Sequence, residues 1–395
     1  MSEKAFQYPQ YCTGCSACVN ICPKDCLKLV YRSDGFRYPV FSSDSACVHC
    51  GLCEKVCPVR YLDSNHSVDS KQPIRSFMYQ CEDLAIREKS SSGGAYSRLA
   101  DAVLKQNGIV FGCAFNPHTK EIEYDDSDHQ NYENFRKSKY VEANPRDVFR
   151  RVRKNLLANR YVLFCGTPCH VEGLVRFLGK LADSKYLLTV DFRCHGVPSN
   201  AHFSEYLSTL ENSKCPIQKI DFRYKDFKSG QYMWRADSFL GIISEKGRRK
   251  IFHYNESEYY RSFCDSMFLR ESCYFCKRIE NSKADISIGD FWRLQKYAPN
   301  KNDKMGTSLL CVQTKRGDSF ITPLVNKEEF ELLPYSAVEY WFHGNDYRKE
   351  YTLLSNLYNR ISQIGYLKTM KEIYGNSCKL NHFKRIIKNI LCIED

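Results

Sequence analysis

The sequence predicts a protein of mixed α+β and α/β class in three parts: a small cysteine-rich domain, a larger body built on a mixed sheet, and a helical C-terminal region. Three observations predict this organisation. The chain has 395 residues, which is more than a single hydrophobic core usually serves. Nine of its 21 cysteines lie in the first sixty residues, and strand-like apolar runs alternate with helical ones further on. We therefore expect domains at 1–62, 73–335 and 336–395.

The composition indicates a globular protein outside the membrane. Hydrophobic residues make up 43% of the chain, and its mean hydropathy is −0.50. No apolar run reaches the length of a membrane span, and the first residues lack the basic and apolar regions of a signal peptide. We therefore expect a cytoplasmic location, where thiols stay reduced and cysteine arrays bind metals more often than they form disulfides.

The net charge of +12 bears on the partners of the chain. Lysine and arginine are scattered along the whole sequence instead of forming one basic patch, which argues against a nucleic-acid surface. The charge favours acidic redox partners, anionic cofactors or peripheral contact with an anionic membrane. The oligomeric state is left open.

One cysteine motif occurs twice in the first domain. Both copies have the spacing Cys-x2-Cys-x2-Cys-x3-Cys-Pro that is typical of bacterial two-cluster ferredoxins. The first three thiolates of a motif hold one [4Fe-4S] cluster, and the fourth reaches the other cluster. The predicted ligands are Cys12, Cys15, Cys18 and Cys57 for one cluster, and Cys22, Cys47, Cys50 and Cys53 for the other.

Zinc is the alternative metal for this domain, although zinc modules usually pair their cysteines in Cys-x2-Cys knuckles. Cys26 lies outside both motifs and is expected to pack as a small apolar residue. A pair of clusters relays electrons, so we expect the chemistry to take place in another part of the chain.

In the body, four apolar runs predict strands and two stretches predict helices, so the pattern indicates an α/β domain with a mixed sheet. The polar residues 63–72 are interpreted as a linker. The predicted strands cover 108–115, 161–165, 187–192 and 284–291, and the predicted helices cover 96–104 and 171–178.

From about Phe342 the chain is expected to be helical and basic. Apolar residues at three- and four-residue spacing predict a helix face that docks on the body. The alternative is an amphipathic surface for an anionic membrane or a partner, supported by basic residues near the end. The apolar residues are Leu354, Leu357, Ile361, Ile364, Leu367 and Met370, and the basic ones are Lys379, Lys384, Arg385 and Lys388.

Two short stretches of the body have the pattern of a cofactor site. The small residues 90–95 precede a helix, whose N-terminal N–H groups favour a phosphate; an ordinary helix cap is the alternative. The turn Gly166-Thr167-Pro168 joins a strand to a helix, which is where α/β sheets place ligands. An ordinary strand–helix connection would give the same pattern. No GxGxxG motif supports a dinucleotide site of the Rossmann type.

Four further cysteines could supply thiolates from loops at one end of the sheet, although isolated cysteines are often only buried. They are Cys169, Cys194, Cys273 and Cys276.

Three more stretches belong to the same pattern: Ser138-Lys139-Tyr140-Val141, CHGVPS at 194–199 and DISIGD at 285–290. Together with the two short stretches and the four cysteines above, they resemble the coenzyme F420 hydrogenase/dehydrogenase beta-subunit family over about residues 75–330. The resemblance implies FAD in the body, a third [4Fe-4S] cluster on the four body cysteines, and two-electron exchange with a soluble redox partner. The predicted cofactor contacts are Ser91, Ser92, Gly93, Gly94, Ser138, Lys139, Tyr140, Gly166, Thr167 and Pro168.

A cation such as Lys139 beside the flavin ring would stabilise its anionic reduced form, whereas an exposed lysine is the ordinary alternative. His195 and Asp290 are the catalytic candidates. His195 could donate protons, or it could be a structural histidine that stabilises its loop. Asp290 is assigned to the flavin pocket together with Trp292.

Two positions depart from the family pattern. Glu142 and His170 stand where glutamine is expected, so contacts to the substrate nearby are expected to differ.

The preferred hypothesis is an iron–sulfur flavoprotein oxidoreductase that exchanges two electrons with a soluble substrate or an F420-like coenzyme. The second hypothesis is a non-catalytic electron-transfer subunit docked to a partner dehydrogenase or reductase. A scaffold in which clusters only stabilise the fold is the least favoured. The flavoprotein hypothesis is preferred over the docked subunit because the covalently joined ferredoxin domain would supply the electrons for the reaction.

Overall fold

The computed structural model describes residues 9–42, 47–61, 72–211, 216–278, 280–342, 357 and 359–379. The strands are β1 Leu27–Tyr31, β2 Arg37–Phe41, β3 Arg75–Tyr79, β4 Ile109–Asn116, β5 Glu121–Asp126, β6 Ala143–Asn144, β7 Val162–Cys165, β8 Leu187–Phe192, β9 Ile217–Tyr224, β10 Phe239–Ser244, β11 Arg249–His253, β12 Ile286–Asp290, β13 Ser308–Val312 and β14 Phe330–Leu333. The α-helices are α1 Ala17–Ile21, α2 Leu52–Lys55, α3 Leu84–Glu88, α4 Ala95–Leu104, α5 Val148–Leu157, α6 Pro168–Leu178, α7 Asn200–Leu210, α8 Glu258–Cys264, α9 Leu294–Tyr297, α10 Lys315–Ile321, α11 Tyr335–Val338 and α12 Tyr366–Met370.

A mixed sheet forms the centre of the body. Within the described ranges its strand order is β14-β3-β13-β12-β8-β7-β4-β5-β6. The four central strands β12, β8, β7 and β4 run parallel, whereas β13, β3 and β14 add antiparallel strands on one side. Because ligands of such sheets bind beyond the carboxyl ends of the parallel strands, this edge is where a site is expected.

The parallel strands are apolar on both faces because helices cover both sides of the sheet. Phe111 and Phe164 belong to one core cluster, and their neighbours Val110 and Leu163 belong to the cluster on the opposite face. This alternation follows from the two-residue period of a strand.

Two smaller sheets complete the fold. Strands β9, β10 and β11 form an antiparallel sheet, and β1 pairs with β2 in a hairpin of the first domain. The first domain also packs on the body, because Cys15, Ala17 and Val56 belong to the same core cluster as helices α5 and α6. Tyr31 of the hairpin donates a hydrogen bond of 2.7 Å to Glu121 of the body.

The predicted fold class is confirmed: a small iron–sulfur-type domain precedes a body with a large mixed sheet. The predicted strand at 187–192 matches β8 residue for residue, and the helix expected over 171–178 begins three residues earlier, at Pro168. The domain limits stay predictions, and the expected linker lies almost wholly outside the described residues.

The expected docking of the C-terminal stripe is seen for four of its five described members. Ile361 and Met370 are buried in the main core cluster, and Leu357 and Leu367 pack against it. The fifth, Ile364, is half-buried and belongs to none of the core clusters of the described residues. Outside the described residues lie Leu354, Lys384, Arg385 and Lys388. In the parts of the chain that are described, no helix combines the length and apolar character needed to cross a membrane.

Candidate functional site

The predicted ligands of the first domain fall into two groups with different surroundings. Cys57, the last cysteine of the second motif, lies beside the first motif, as crossed ligation requires, and its charge interacts with those of Cys15 and Cys18. Cys22 interacts in the same way with Cys53 of the second motif. We call Cys12, Cys15, Cys18 and Cys57 the inner quartet, and Cys22, Cys47, Cys50 and Cys53 the outer quartet.

The four body cysteines meet at the carboxyl edge of the parallel strands. Cys169 lies in the first turn of α6, directly after β7, and Cys194 follows β8. Cys273 and Cys276 approach from the 3-10 helix Glu271–Phe275 and its end. The charge of Cys194 interacts with those of the other three cysteines. We call Cys169, Cys194, Cys273 and Cys276 the body quartet.

Burial dominates the thiol chemistry of the inner and body quartets. Burial, with a smaller contribution from neighbouring thiolates, raises the pKa of Cys15 and of Cys273 to about 12. A metal that binds these two sulfurs must therefore displace a proton from each of them.

A different group of possible metal ligands lies elsewhere in the body. Asp125, Asp126 and His129 bring three possible ligand atoms within 4.8 Å of one another, but the Arg151 guanidinium already pairs with both aspartates, at 2.9 and 2.6 Å.

One cavity joins the body quartet to most of the predicted flavin contacts. It offers about 200 Å³ to the centres of water molecules, more than ten times what one water needs, so it is large enough for a ligand. The whole body quartet lines it, as do His195, Asp290 and every predicted flavin contact except Gly93 and Tyr140.

Gly93 and Tyr140 support the cavity wall from behind. A Cβ on Gly93 would come within 2.2 Å of the Tyr79 carbonyl oxygen and 2.6 Å of the Ser308 nitrogen, so strand packing requires glycine here. The Tyr140 ring stacks on that of Phe263 at 4.3 Å, within an aromatic cluster.

The loop before α4 is tied down by its serines. The Ser138 N–H donates to Ser91 Oγ at 2.8 Å, which joins two of the predicted contact segments, and Ser92 Oγ donates to the Thr307 carbonyl at 2.6 Å. Gly94 has a φ of 98°, a conformation that favours glycine, and it begins α4. The loop therefore presents a fixed helix N-terminus to the cavity.

Lys139 is half-buried in the cavity wall. Its Nζ donates to the carbonyl oxygens of Asn134 and Arg136 at 3.0 and 2.6 Å. Burial lowers its pKa to about 8, and the charges of Cys113 and Cys165 oppose that shift. Because both hydrogen-bond acceptors are neutral, the lysine charge suits an anionic ligand.

The two catalytic candidates line the cavity but already have protein partners. His195 Nε2 lies 3.1 Å from the Phe263 carbonyl oxygen. Asp290 accepts hydrogen bonds from Arg223 at 2.9 Å and from the Trp234 indole at 2.6 Å. Trp292 is not on the cavity wall; it stacks on Trp234 with ring centroids 4.5 Å apart.

Sequence reasoning missed two polar groups of the cavity wall. Tyr96 Oη and Arg136 Nε are buried and find no hydrogen-bond partner among the described residues. Tyr96 occupies the first turn of α4, and Arg136 lies two residues before Ser138. Both residues lie close in the sequence to the predicted contact segments, and this was the signal that could have identified them.

Glu142 and His170, the two departures from the family pattern, have partners in the protein. Buried Glu142 pairs with buried Arg270, which also donates to the Cys12 carbonyl at 2.6 Å and thereby ties the first domain to the body. His170 Nδ1 lies 2.9 Å from Tyr124 Oη, and burial lowers the His170 pKa to about 4, so the ring is neutral near pH 7.

The repeated motif and the cysteine-lined cavity define an iron–sulfur protein of the electron-transfer class, and comparison with known families agrees. Residues 11–61 match the 4Fe-4S dicluster domain, and residues 159–338 match the family described as the C terminus of the coenzyme F420 hydrogenase/dehydrogenase beta subunit. One part of the chain is thus similar to a 4Fe-4S dicluster domain and another to this oxidoreductase family, which confirms the resemblance drawn from the motifs.

Solved structures are similar at low identity. Among them is a chain from the xenon-derivatised F420-reducing [NiFe] hydrogenase complex of Methanosarcina barkeri, with 15% sequence identity and a TM-score of 0.44. The match covers 74% of this chain and 92% of that one. No curated protein sequence matches the chain.

Proposed function

We propose that this chain is an iron–sulfur flavoprotein oxidoreductase. FAD would occupy the cavity, the body quartet would hold a third [4Fe-4S] cluster, and the protein would exchange two electrons with a soluble substrate or an F420-like coenzyme. The observation that carries the proposal is the shared cavity, in which the body quartet lies beside the loop before α4 and Lys139.

Several features of the wall fit FAD. Helix α4 has ten residues, and its N-terminus favours a phosphate because the first N–H groups of a helix have no partner within it. Tyr96 and Arg136 also line the cavity, where an aromatic ring and a positive charge suit a flavin nucleotide.

Lys139 would orient and stabilise the ligand through its charge. Bound FAD supplies the conversion between one-electron and two-electron transfer. Because burial lowers the Lys139 pKa to about 8, the side chain is still mostly protonated at pH 7. A negative group beside it would raise that pKa again, so the protonated lysine and an anionic ring would stabilise one another.

The body quartet fits an iron–sulfur cluster by its donor set. It offers four sulfur ligands, and the guanidinium groups of Arg270 and Arg278 oppose the effect of burial on the Cys169 thiol. Arginine charge near four thiolates lowers the cost of keeping them ionised in a buried site. The residues therefore hold a negative cluster without further ligands.

Cofactor content tests the proposal directly. The chain is purified without oxygen, and iron, acid-labile sulfide and released flavin are measured on one sample. We expect about twelve Fe per chain with one FAD. Replacing Cys273 and Cys276 together by serine should lower the iron to about eight, because the body cluster is lost.

Cys264→Ser is the matched control, since Cys264 is an exposed cysteine of α8 in the same region of the chain. It should keep the full iron and flavin content. About eight Fe and no flavin in the unaltered protein would contradict the proposal and favour the docked electron-transfer subunit.

Lys139→Met addresses the flavin contact separately. It should retain FAD but make the flavin midpoint potential more negative, because the reduced anionic ring loses its neighbouring cation. An unchanged flavin potential would remove Lys139 from the site.

A further inference from the structure

One face of helix α6 connects two of the cysteine quartets. Cys169, Glu172 and Gly173 lie three and four residues apart, so they share a face of the helix. Cys169 belongs to the body quartet, Glu172 accepts a hydrogen bond from Arg278, and Gly173 lies against Cys15 of the inner quartet. The helix thus places a ligand of one quartet beside a ligand of the other.

Gly173 makes this approach possible. A Cβ at this position would come within 2.9 Å of Cys15 Sγ and 3.0 Å of Cys15 Cβ. Glycine in a helix interior costs roughly 1 kcal/mol relative to alanine, and the close contact explains its presence here. The charges of Cys15 and Cys169 interact across the same contact.

Arg278 places a positive charge between the two quartets. Its Nε donates to Glu172 Oε2 at 2.7 Å, its side chain is 9% exposed, and its buried Nη2 has no acceptor among the described residues. Arg278 follows Cys276 of the body quartet by two residues. Its partner Glu172 lies on the face of α6 that carries Cys169 and Gly173, the residue in contact with the inner quartet. One guanidinium is therefore held where both quartets approach the same helix face.

A purely structural role explains this arginine poorly. Glu172 already has a second partner, since Arg176 lies 3.2 Å from its other oxygen. Burying a guanidinium costs free energy that an apolar side chain would not incur, and an unpartnered N–H adds to that cost. The arrangement therefore keeps a positive charge and one N–H, unpartnered within the described part of the chain, buried beside helix α6.

We propose that Arg278, held by Glu172, is a positioning residue that sets the charge shared by the inner and body quartets. On reduction each cluster would gain one electron and no proton, so its net charge would become more negative. A fixed positive charge between them raises both midpoint potentials together and leaves that of the outer quartet nearly unchanged. The part concerning the body quartet rests on the proposed function.

The test is a redox titration of the full chain, reduced with dithionite and followed by electron paramagnetic resonance. Arg278→Gln should shift two of the three cluster potentials to more negative values, with the outer cluster as an internal reference. Glu172→Gln should shift the same two to more positive values, because it removes the negative partner and keeps the arginine. Arg278→Lys should stay closer to the unaltered protein than Arg278→Gln does.

Arg176→Gln is the matched control, since this half-buried arginine pairs with the same glutamate from one turn further along α6. Arg176→Gln should shift the midpoint potentials of the inner and body clusters less than Arg278→Gln does. Equal shifts of all three potentials, or no shift in Arg278→Gln, would overturn the proposal. If Arg278→Gln fails to retain its clusters, Glu172→Gln tests the proposal instead: a shift of both midpoint potentials to more positive values supports it, and no shift overturns it.

Iron content separates this inference from the proposed function. About twelve Fe per chain with no paired shift refutes the role of Arg278 alone. About eight Fe refutes the body cluster, and the inner and outer potentials of Arg278→Gln then still decide whether Arg278 acts on the inner quartet.

Discussion

The inner and outer quartets are built from the same repeated motif, yet the protein surrounds them differently. Cys15 of the inner quartet is 8% exposed and packs against the body. Cys47 and Cys50 of the outer quartet are exposed, and Val48 between them is 57% exposed. Two sites with equivalent ligands therefore differ in burial, neighbouring charge and contact with the rest of the chain.

This difference teaches that the motif specifies the ligands, whereas docking specifies the environment of the cluster. Solvent exposure and hydrogen bonds to the sulfurs are among the main factors that tune cluster potentials. Cys15 of the inner quartet is buried against Gly173, and Cys12 Sγ lies 3.8 Å from an Arg270 nitrogen, whereas Cys47 and Cys50 of the outer quartet are exposed. We therefore expect an external redox partner to approach the outer quartet.

The largest contrast is expected when one ligand is removed from each quartet. Cys50→Ser should lose about four Fe and keep the folded structure, because the site is at the surface. Cys15→Ser should lose iron and also lower the unfolding temperature markedly, because Cys15 belongs to the core between the domains. Iron analysis and anaerobic thermal unfolding measure both effects; equal unfolding temperatures would contradict the contrast.

The next prediction concerns iron release. An iron chelator added to the reduced protein should remove about four Fe in a fast phase from the exposed outer quartet, followed by a slower phase. Cys50→Ser should lack the fast phase. Release in a single phase would show that burial does not distinguish the quartets.

Buried and exposed ion pairs offer a third comparison. Arg270→Met leaves the buried Glu142 carboxylate without its partner and should cost about 3–5 kcal/mol of unfolding free energy. Arg60→Met breaks the Arg60–Glu54 pair near the outer quartet, where the arginine is 59% exposed, and should cost about 0–1 kcal/mol. Denaturant unfolding measures both changes, and Arg270→Met combined with Glu142→Gln should recover part of the loss.

A smaller effect than that of Arg270→Met is expected at Arg150 of α5, which contacts the segment that carries Cys22. Its guanidinium donates to the carbonyls of Asn20 and Cys22 at 2.6 and 2.8 Å. Arg150→Ala should lower the unfolding free energy by about 1–2 kcal/mol and speed the fast phase of iron release. Arg153→Ala, at an exposed position of the same helix, is the control and should change neither quantity.

The sequence was informative wherever a function depends on residues close together in the chain. Motif spacing predicted which thiols meet, including the crossing of Cys57 to the first motif, and apolar runs predicted β7, β8 and the turn before α6. It did not predict that Glu142 pairs with Arg270, because the two residues are 128 positions apart. Arg270 and Arg278 flank the Cys273-x2-Cys276 pair, but an arginine near a cysteine is too common to be a signal.

By itself, the sequence therefore determined the fold class and the resemblance to two families, and it predicted the ligand sets, because these depend on local spacing and on hydrophobic periodicity. Only the tertiary structure decided which quartet is buried, which polar groups share the cavity, and which arginine lies between two quartets. Those features depend on how the first domain docks on the body. Docking is set by shape and charge over long separations in the chain, which no local pattern records.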